Sequence, residues 1–393
     1  MQNPVVIVGS ARTPMGGFQG ELSAVSAPEL GAAAIKAALE RAGVPAGDVD
    51  ELMMGCVLPA GQGQAPARQA GFGAGLPEGV PATTLNKMCG SGMKTVMIAH
   101  DQLLAGNGEI VVAGGMESMT NAPYIVPKMR GGARLGHAVM QDHMFLDGLE
   151  DAYDKGRLMG TFAEDCAEKY QFTREEQDAY ALASLDGALS AQADGKFDAE
   201  ITPVTVRNRR GSEEVARDEQ PHNARPDKIP HLKPAFRPDG TVTPANASSI
   251  SDGAAALVLM RQSEAEARGV AVRARLLGHA SNAQEPGWFT TAPIPAMRRV
   301  METVGWGVDD VDLWEINEAF AVVPMVAMRE MGIPRDRLNV NGGACALGHP
   351  IGASGARIIV TLLHEMERRN AKRGIASLCI GGGEGTAVAI ERD

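Results

Sequence analysis

Short apolar runs bounded by glycine alternate along the chain with longer segments in which apolar residues recur at helical spacing. The runs at 5–8, 110–113 and 376–380 are apolar on both faces, which is typical of sheet strands that helices cover on both sides. The alternation of such strands with helices predicts an α/β fold.

Polar residues mark where several helices begin. Ser26 and Glu29 have the spacing of a capping box and precede an apolar-rich segment, and Thr173 with Glu176 repeats that spacing further along the chain. We expect a helix to follow each pair, and a third apolar helix over 91–104.

Three pairs of similar segments occur in the same order in the two halves of the chain. They are 37–55 with 299–317, 89–92 with 352–355, and 114–117 with 382–384, the last pair ending a short apolar strand in each half. Three matched elements in order indicate two α/β halves related by duplication.

Residues 121–250 differ in character from both halves, being richer in Met, Asp, Arg and Pro. The sequence therefore predicts an N-terminal half at 1–120 plus 251–274, an inserted domain at 121–250, and a C-terminal half at 275–393. Within the insertion, 207–239 is polar and Pro-rich and is interpreted as a surface loop that carries recognition.

The composition narrows the class of protein. With 44% hydrophobic and 22% charged residues, a chain of 393 residues has enough apolar material for a buried core. Its net charge of -11 argues against a nucleic-acid surface. No stretch reaches the roughly 20 apolar residues of a membrane span. We therefore expect a soluble globular protein with no nucleic-acid or membrane partner.

Cysteine usage indicates the compartment. The cysteines are odd in number, and the first residues carry no secretory signal. We therefore expect free thiols in a reducing compartment and predict a cytoplasmic location. The five cysteines are Cys56, Cys89, Cys166, Cys345 and Cys379.

The segment 86–92, Asn-Lys-Met-Cys-Gly-Ser-Gly, places Cys89 where a strand should lead into the helix predicted over 91–104. The positive end of a helix dipole favours a thiolate, and the glycines leave room for a substrate to approach the backbone. Cys89 is therefore a candidate nucleophile. A buried structural cysteine is the alternative, since that is the commoner role of cysteine.

A second Gly-rich turn into a helix spans 341–355 and holds His349 at its bend. A histidine between Gly348 and Pro350 is poorly suited to packing and well suited to point into a cleft, where it would deprotonate a thiol. Cys345 lies four residues before His349, but a metal site would need two more ligands that no spacing supplies. No metal site is predicted.

Two further polar groups lie at the ends of predicted strands. Cys379 leads into three glycines at 381–383 whose N–H groups would face a developing oxyanion. Asn317 and Glu318 follow the strand predicted at 311–316, where ligands of open α/β sheets bind. Packing is the alternative for Cys379, and a turn is the alternative for Asn317.

Four motifs in this order resemble the thiolase family closely. They lie at 86–92, 317–320, 348–355 and 379–383, and the similarity runs from Arg12 to the C-terminus. The resemblance, which is greatest to the bacterial acetyl-CoA acetyltransferases, implies duplicated halves in a five-layer αβαβα core with an inserted loop domain, assembled as a homotetramer. It also implies an acyltransferase that reversibly makes or cleaves acetoacetyl-CoA or short 3-ketoacyl-CoA.

The resemblance also implies a role for each motif. Cys89 would be the nucleophile that takes the acyl group, and His349 the base that activates it. Cys379 would move the proton at the carbon alpha to the thioester. Asn317 would hold a water that, with His349, stabilises the enolate oxygen. The N–H groups of Cys89 and Gly381 would form a second oxyanion hole.

Coenzyme A is implied as a co-substrate beside acetyl-CoA and acetoacetyl-CoA, with no permanently bound cofactor. Ser248, Met159 and Phe236 would contact coenzyme A. The chain departs from many acetoacetyl-CoA-specific relatives at 158–160, where Leu-Met-Gly replaces His-Met-Gly, and at 289–290, where Phe-Thr replaces Met-Gly. Residues 221–230 align poorly with the family, so no residue is assigned to the adenine end.

Three other functions compete with this interpretation. A longer-chain 3-ketoacyl-CoA thiolase of fatty-acid β-oxidation is one. A ketosynthase of the same fold generally uses a Cys-His-His or Cys-His-Asn set, and Cys379 argues against it. A non-catalytic acyl- or lipid-binding protein on the same scaffold would be free to lose Cys89, His349 or Cys379, yet all three are present.

Overall fold

The computed structural model describes residues 3–208 and 211–393. Its strands are β1 Val5–Arg12, β2 Gly16–Gly17, β3 Glu51–Gly55, β4 Ala82–Leu85, β5 Ile110–Ser118, β6 Tyr124–Ile125, β7 Gln141–Asp142, β8 Val204–Asn208, β9 Gly211–Val215, β10 Ser251–Arg261, β11 Ala274–Ala283, β12 Leu313–Ile316, β13 Arg373–Ile380 and β14 Glu384–Glu391. Its α-helices are α1 Ala27–Ala42, α2 Pro66–Gly73, α3 Ser91–Leu104, α4 Met159–Tyr170, α5 Arg174–Ala193, α6 Gln220–Asn223, α7 Gln262–Arg268, α8 Pro293–Val304, α9 Val322–Met331, α10 Ala344–Leu347 and α11 Ile351–Arg369.

One large mixed sheet runs through the molecule in the order β12-β13-β14-β11-β1-β10-β5-β3-β4, with β2 paired to β10. The pairs β3–β4, β3–β5 and β12–β13 are parallel. β1 lies antiparallel to β10 on one side and to β11 on the other. The sheet portions of the two halves are therefore joined edge to edge at β1 and β11.

The two portions of the sheet repeat one topology. The order β1-β10-β5-β3 in the first corresponds to β11-β14-β13-β12 in the second. α1 and a short turn precede β3, as α8 and a short turn precede β12. Leu338 forms a parallel bridge with Trp314 where β4 pairs with β3 in the other half. The matched sequence segments thus occupy equivalent places, as a duplication requires. The domain boundaries stay a prediction.

Side chains at alternate positions of the sheet enter different cores. In β1, Val6 and Val8 pack in a cluster with α1 and α2, whereas Val5 and Ile7 pack in a second cluster with α3 and α11. The second cluster also contains residues of β13 and β14, so α3 and α11 lie between the two portions of the sheet. A third cluster packs α8 on the outer face of the second portion. The layers are therefore helix, sheet, helix, sheet, helix, which confirms the α/β prediction.

The helices begin where the capping signals predict. Both capping boxes are formed, at Ser26 with Glu29 before α1 and at Thr173 with Glu176 before α5. α3 starts at Ser91, as predicted. Within the described part of the chain, no helix combines the length and apolar composition that a membrane crossing requires.

Helices α3 and α11 cross in the central layer at two glycines. A Cβ added to Gly92 would lie 2.9 Å from Ala356 N, and one added to Gly355 would lie 2.8 Å from Met93 Cβ. Real side chains do not approach so closely, so larger residues would hold the two helices apart. The matched Ser-Gly steps of the sequence therefore mark this crossing.

Another matched pair differs from the prediction. β5 continues to Ser118, so the glycines expected to end this strand lie inside it. A Cβ on Gly114 would lie 2.9 Å from Ala256 Cα in the neighbouring strand, and one on Gly115 would overlap the carbonyl oxygen of Gly352 in α11. These glycines allow close packing of β10 and α11 and do not form a turn.

The residues described within 207–239, which are 207–208 and 211–239, include regular elements that the prediction of a surface loop does not contain. The segment contains β9, which pairs with β8, and the short helix α6. Its Asp218 is fully buried and accepts hydrogen bonds of 2.6 and 2.9 Å from Arg12, which also donates to Glu200 at 2.6 Å. Most of the described residues of this segment are nevertheless exposed, as the prediction of a surface segment requires, and Asp218 is a buried contact that the sequence does not predict.

Replacement of Gly355 by alanine is expected to lower the free energy of unfolding by about 1–3 kcal/mol, the usual cost of overpacking, because its methyl group would press on Met93. Urea unfolding followed by circular dichroism measures the loss. Gly47→Ala is the matched control, since this exposed glycine has no described atom within 4 Å of an added Cβ. Equal stability of the two variants would contradict the tight crossing.

Candidate active site

Cys89 lies in a closed loop just before α3. Met88 has a left-handed backbone (φ 47°), which is uncommon for a residue with a side chain. Ser91 Oγ closes the loop by accepting a hydrogen bond from Lys87 N (2.8 Å) and donating one to the Met88 carbonyl oxygen (2.6 Å). The half-buried Cys89 is therefore held at the positive N-terminus of α3.

The loop of Cys89 packs against the loop that follows β13 in the other half. A Cβ on Gly90 would overlap Cδ1 of Ile380, and Lys87 forms an ion pair with Glu384. The backbone N–H groups of Gly381 and Cys89 act to lower the pKa of the Cys89 thiol. Two N–H groups from different halves of the chain therefore lie close to this sulfur.

His349 lies buried at the bend before α11. Its Nδ1 is 2.6 Å from Ser354 Oγ, and that hydroxyl donates to the Pro350 carbonyl oxygen at 2.9 Å. Because the hydroxyl has one proton and uses it there, Nδ1 carries the imidazole proton and Nε2 is left as an acceptor. Nε2 has no hydrogen-bond partner among the residues described. The geometry therefore leaves a base available at Nε2.

The other two predicted catalytic side chains lie beside this pair. Asn317 Nδ2 is 3.5 Å from His349 Nδ1, and Asn317 Oδ1 is buried without a hydrogen-bond partner in 3–208 and 211–393. Cys379 lies at the end of β13 and is fully buried. Burial, together with the neighbouring Cys89 sulfur, holds the pKa of Cys379 well above its usual value. All four side chains thus meet from separate segments.

Burial favours the neutral forms of the thiol and the imidazole. Burial raises the pKa of Cys89 to about 11, although the N–H groups of Gly381 and Cys89 act in the opposite direction. Burial, with the positive charge of Arg357, lowers the pKa of His349 to about 3. The expectation that the helix dipole yields a thiolate is therefore wrong for the protein without substrate, in which a thiol lies near a neutral base.

Glu117 is a buried residue that positions the bend of His349 and that sequence reasoning missed. Its buried carboxylate accepts hydrogen bonds from Val57 N (2.9 Å), Leu58 N (3.1 Å) and Gly352 N (2.8 Å). Burial raises the pKa of Glu117 to about 7, against the effect of these N–H groups. The carboxylate fixes the first turn of α11, and with it the bend that holds His349. The only sequence signal was the matched motif at 114–117, which carried no functional meaning by itself.

A cavity of about 370 Å³ opens beside the thiol and the imidazole. Cys89, His349 and Gly381 form part of its wall. Cys379 and Asn317 lie behind that wall. The three residues predicted to contact coenzyme A also line the cavity; they are Met159, Ser248 and Phe236. The structure therefore brings all eight sequence-predicted site residues to one place.

Aromatic side chains close one side of this cavity. Phe236 and Phe289 pack edge to face on Phe320, with ring centroids 6.0 and 6.4 Å apart. A Cβ on Gly160 would overlap the Phe236 ring, so glycine is needed there to seat it. Leu158, at one of the positions that depart from the family pattern, also lines the cavity.

A second cavity, of about 330 Å³, adjoins the first at Pro244 and Ser249. Arg225 and Lys228 contribute positive charge to its wall. The two cavities together offer an apolar end beside Cys89 and a cationic end toward the surface. Such a pair suits an elongated ligand with an anionic end.

Comparison with known proteins gives consistent matches along the chain. The models of the thiolase N-terminal domain and the thiolase C-terminal domain match residues 5–263 and 270–392. Acetyl-CoA acetyltransferases of Pseudomonas aeruginosa and Cupriavidus necator are 52% and 51% identical to this chain, each over 99% of both chains. That of Rhizobium meliloti is 50% identical over 100% of both chains.

The rate of Cys89 alkylation by iodoacetamide is expected to rise steadily from about pH 7 to about pH 9.5. The reason is that below so high a pKa the fraction of Cys89 present as thiolate increases about tenfold with each unit of pH. A thiol of ordinary pKa, about 8.5, would already level off in this range. Intact-mass spectrometry measures the rate, and Cys89→Ala identifies the adducts of other thiols. A plateau anywhere below about pH 9.5 would contradict the raised pKa of about 11.

Proposed function

The chain belongs to the thiolase family, and from that premise we propose that it is an acetyl-CoA C-acetyltransferase that reversibly makes and cleaves acetoacetyl-CoA. The names of relatives about half identical over their full length support this substrate. The thiol of Cys89 and the imidazole of His349 lie at one apolar cavity, and the imidazole Nε2 has no hydrogen-bond partner among the described residues. This placement is the observation that carries the proposal.

In the first half-reaction, Cys89 takes the acetyl group of acetyl-CoA. The sulfur attacks the thioester carbonyl carbon while His349 Nε2 accepts the thiol proton. The N–H groups of Cys89 and Gly381 stabilise the negative charge on the carbonyl oxygen. When the carbon–sulfur bond to coenzyme A breaks, the proton on His349 passes to the departing thiolate, and acetyl-Cys89 remains.

In the second half-reaction, a new carbon–carbon bond forms. In its thiolate form, which the raised pKa makes scarce but strongly basic, Cys379 removes a proton from the methyl carbon of a second acetyl-CoA, and the enolate carbon attacks acetyl-Cys89. His349 and a water held by Asn317 would stabilise the enolate oxygen, which the unpartnered Asn317 Oδ1 of the described structure supports. Acetoacetyl-CoA leaves as the carbon–sulfur bond to Cys89 breaks, and the proton that Cys379 took passes to Cys89, which returns Cys379 to its thiolate. Cleavage follows the same steps in reverse.

Coenzyme A would span the two adjoining cavities. Met159, Ser248 and Phe236 would contact its pantetheine arm beside Cys89. Its phosphates would lie in the second cavity, where Arg225 and Lys228 supply opposite charge. Coenzyme A acts here as a substrate, and no permanently bound cofactor is proposed.

A thiolase that prefers longer acyl chains is the alternative to this proposal. The two functions differ in the length of the acyl chain of the substrate. Phe236, Phe289 and Phe320 line the cavity that also contains Cys89, and bulky rings in this wall favour a short acyl group. A panel of 3-ketoacyl-CoA substrates of increasing length would test this. A higher kcat/KM for a long chain than for acetoacetyl-CoA would support the fatty-acid β-oxidation role instead.

Replacement of Cys379 by serine is expected to leave self-acetylation of Cys89 within about tenfold of the native rate, while acetoacetyl-CoA thiolysis falls roughly 100-fold or more, the usual contribution of acid–base catalysis. The reason is that a serine hydroxyl is too weak an acid and base to exchange the alpha proton, which acylation does not require. Intact-mass spectrometry with acetyl-CoA follows the first reaction, and loss of acetoacetyl-CoA absorbance follows the second.

Cys166→Ser is the matched control, because this thiol is buried in the same hydrophobic cluster as Cys379 and has no proposed role. It should lower both rates little. Equal losses of both rates in Cys379→Ser would indicate a packing role for that thiol. Absence of acetoacetyl-CoA turnover by the native protein would overturn the proposed function itself.

We also propose that the chain assembles as a homotetramer. A tetramer with dihedral symmetry needs at least two different interfaces, and the fold offers two unpaired surfaces. One is the strand β4, which ends the order of the large sheet. The other is the segment 124–145, where Leu135, Val139 and Met140 are 94%, 70% and 68% exposed. Such apolar exposure is typical of a surface that another subunit covers.

Replacement of both Leu135 and Val139 by aspartate is expected to convert the tetramer into dimers, since buried unpaired charges disfavour the apolar interface. Size-exclusion chromatography with light scattering measures the mass. Val272→Asp is the matched control, because this side chain is also an exposed apolar one but lies outside 124–145. A tetramer that persists in the double variant would exclude this segment as the interface.

The cytoplasm stays the predicted location. All five cysteines, each within the described residues, are free. Free thiols in this number support a reducing compartment.

A further inference from the structure

Three side chains with metal-binding atoms converge away from the cavity of Cys89. His100 and Asp101 lie in the last turn of α3, and His279 lies on β11. Asp101 Oδ1 is 2.8 Å from His279 Nε2 and 3.2 Å from His100 Nδ1. A carboxylate oxygen and two imidazole nitrogens therefore share one small space. We call these three residues the His-Asp-His cluster.

We propose that the His-Asp-His cluster binds one divalent transition-metal ion, with Zn²⁺ the best match. Imidazole nitrogen and carboxylate oxygen are ligands that zinc takes readily. Three protein ligands with a water in the fourth position form a usual open zinc site. Asp101 is 59% exposed, so water has access to the fourth position.

The distances within the cluster agree with those of a tetrahedral site. Donor atoms that bind one zinc at about 2.0–2.1 Å lie roughly 3.3 Å from each other, and the centroids of two bound imidazoles lie roughly 5 Å apart. The observed donor separations are 2.8 and 3.2 Å, and the rings of His100 and His279 lie 5.2 Å apart at 87°. The donor nitrogens of His100 and His279 lie within 4.8 Å of each other, so all three donors border one small space.

The protonation states also suit a metal. Zinc needs neutral imidazoles and an ionised carboxylate. Burial lowers the pKa of His100, which favours its neutral form. Burial of Asp101 works in the other direction, but the hydrogen bonds and charge of His279 and His100 lower the pKa of its carboxyl overall. The neutral form of His100 that burial favours is therefore the form that zinc binds.

The bound ion would join the two halves of the chain and would not contact the reactive residues of the cavity. α3 belongs to the half that holds Cys89, whereas β11 belongs to the other half. Cys89 lies at the start of α3, and eleven residues of helical rise place His100 about 16 Å from it. The expected effect is therefore on stability, with activity unchanged.

Zinc titration of the full-length protein by calorimetry tests the proposal. Cys89 is first capped with iodoacetamide, so that this thiol does not compete for the metal. The native protein is expected to bind one ion per chain. His279→Ala and Asp101→Asn are expected to weaken binding at least about tenfold, since even partners outside the metal shell cost roughly 10–100-fold when removed. Zinc should raise the Tm of the native protein but not that of these two variants.

His137→Ala is the matched control, because this exposed histidine lies in a different segment of the chain. It should bind zinc like the native protein. Both cluster variants should keep native acetoacetyl-CoA thiolysis before capping, which shows that they fold. Failure of the native protein to bind zinc would overturn the proposal. So would equal binding by the native protein and His279→Ala, since the ion would then lie elsewhere.

Discussion

The close crossing of α3 and α11 is the contact on which the site depends. Gly92 and Gly355 allow the first turns of the two helices to touch, and no larger residue fits at either position without separating them. Cys89 lies three residues before the first glycine, and His349 lies six residues before the second. Because each reactive residue is attached to its own helix start, the distance between thiol and imidazole is set by the crossing.

Duplication of the half supplies the two central helices that cross. Divergence of the two halves places different reactive residues before these helices. Each half contributes one central helix with a Gly-rich start, so two different loops arrive at the same place. One loop carries the sulfur and the other the base, and Gly381 adds an N–H group from a third loop. Neither half has the complete set. The buried surroundings keep both reactive groups neutral, so the N–H groups meet full negative charge only when an oxyanion develops.

Local signals made much of the fold predictable, whereas long-range contacts did not. The capping boxes before α1 and α5 lie within four residues of sequence, and the structure forms both. The role of Glu117 depends on Gly352, 235 positions away, which no local pattern records. The raised pKa of Cys89 was missed for the same reason. A helix N-terminus is visible in sequence, but the depth of burial that outweighs it depends on the whole fold.

The residues of the inserted segment that line the cavity need a fixed position relative to Cys89. Met159 and Phe236 reach the cavity from an insertion that buries comparatively few apolar residues of its own. Arg12 of β1 binds Asp218 and Glu200 of the insertion with all three side chains buried. Breaking such a pair by removing one partner costs about 3–5 kcal/mol, because a buried charge is left alone. Directional ion pairs therefore fix the insertion to β1, and the packing of Phe236 on Phe320 holds the insertion at the cavity.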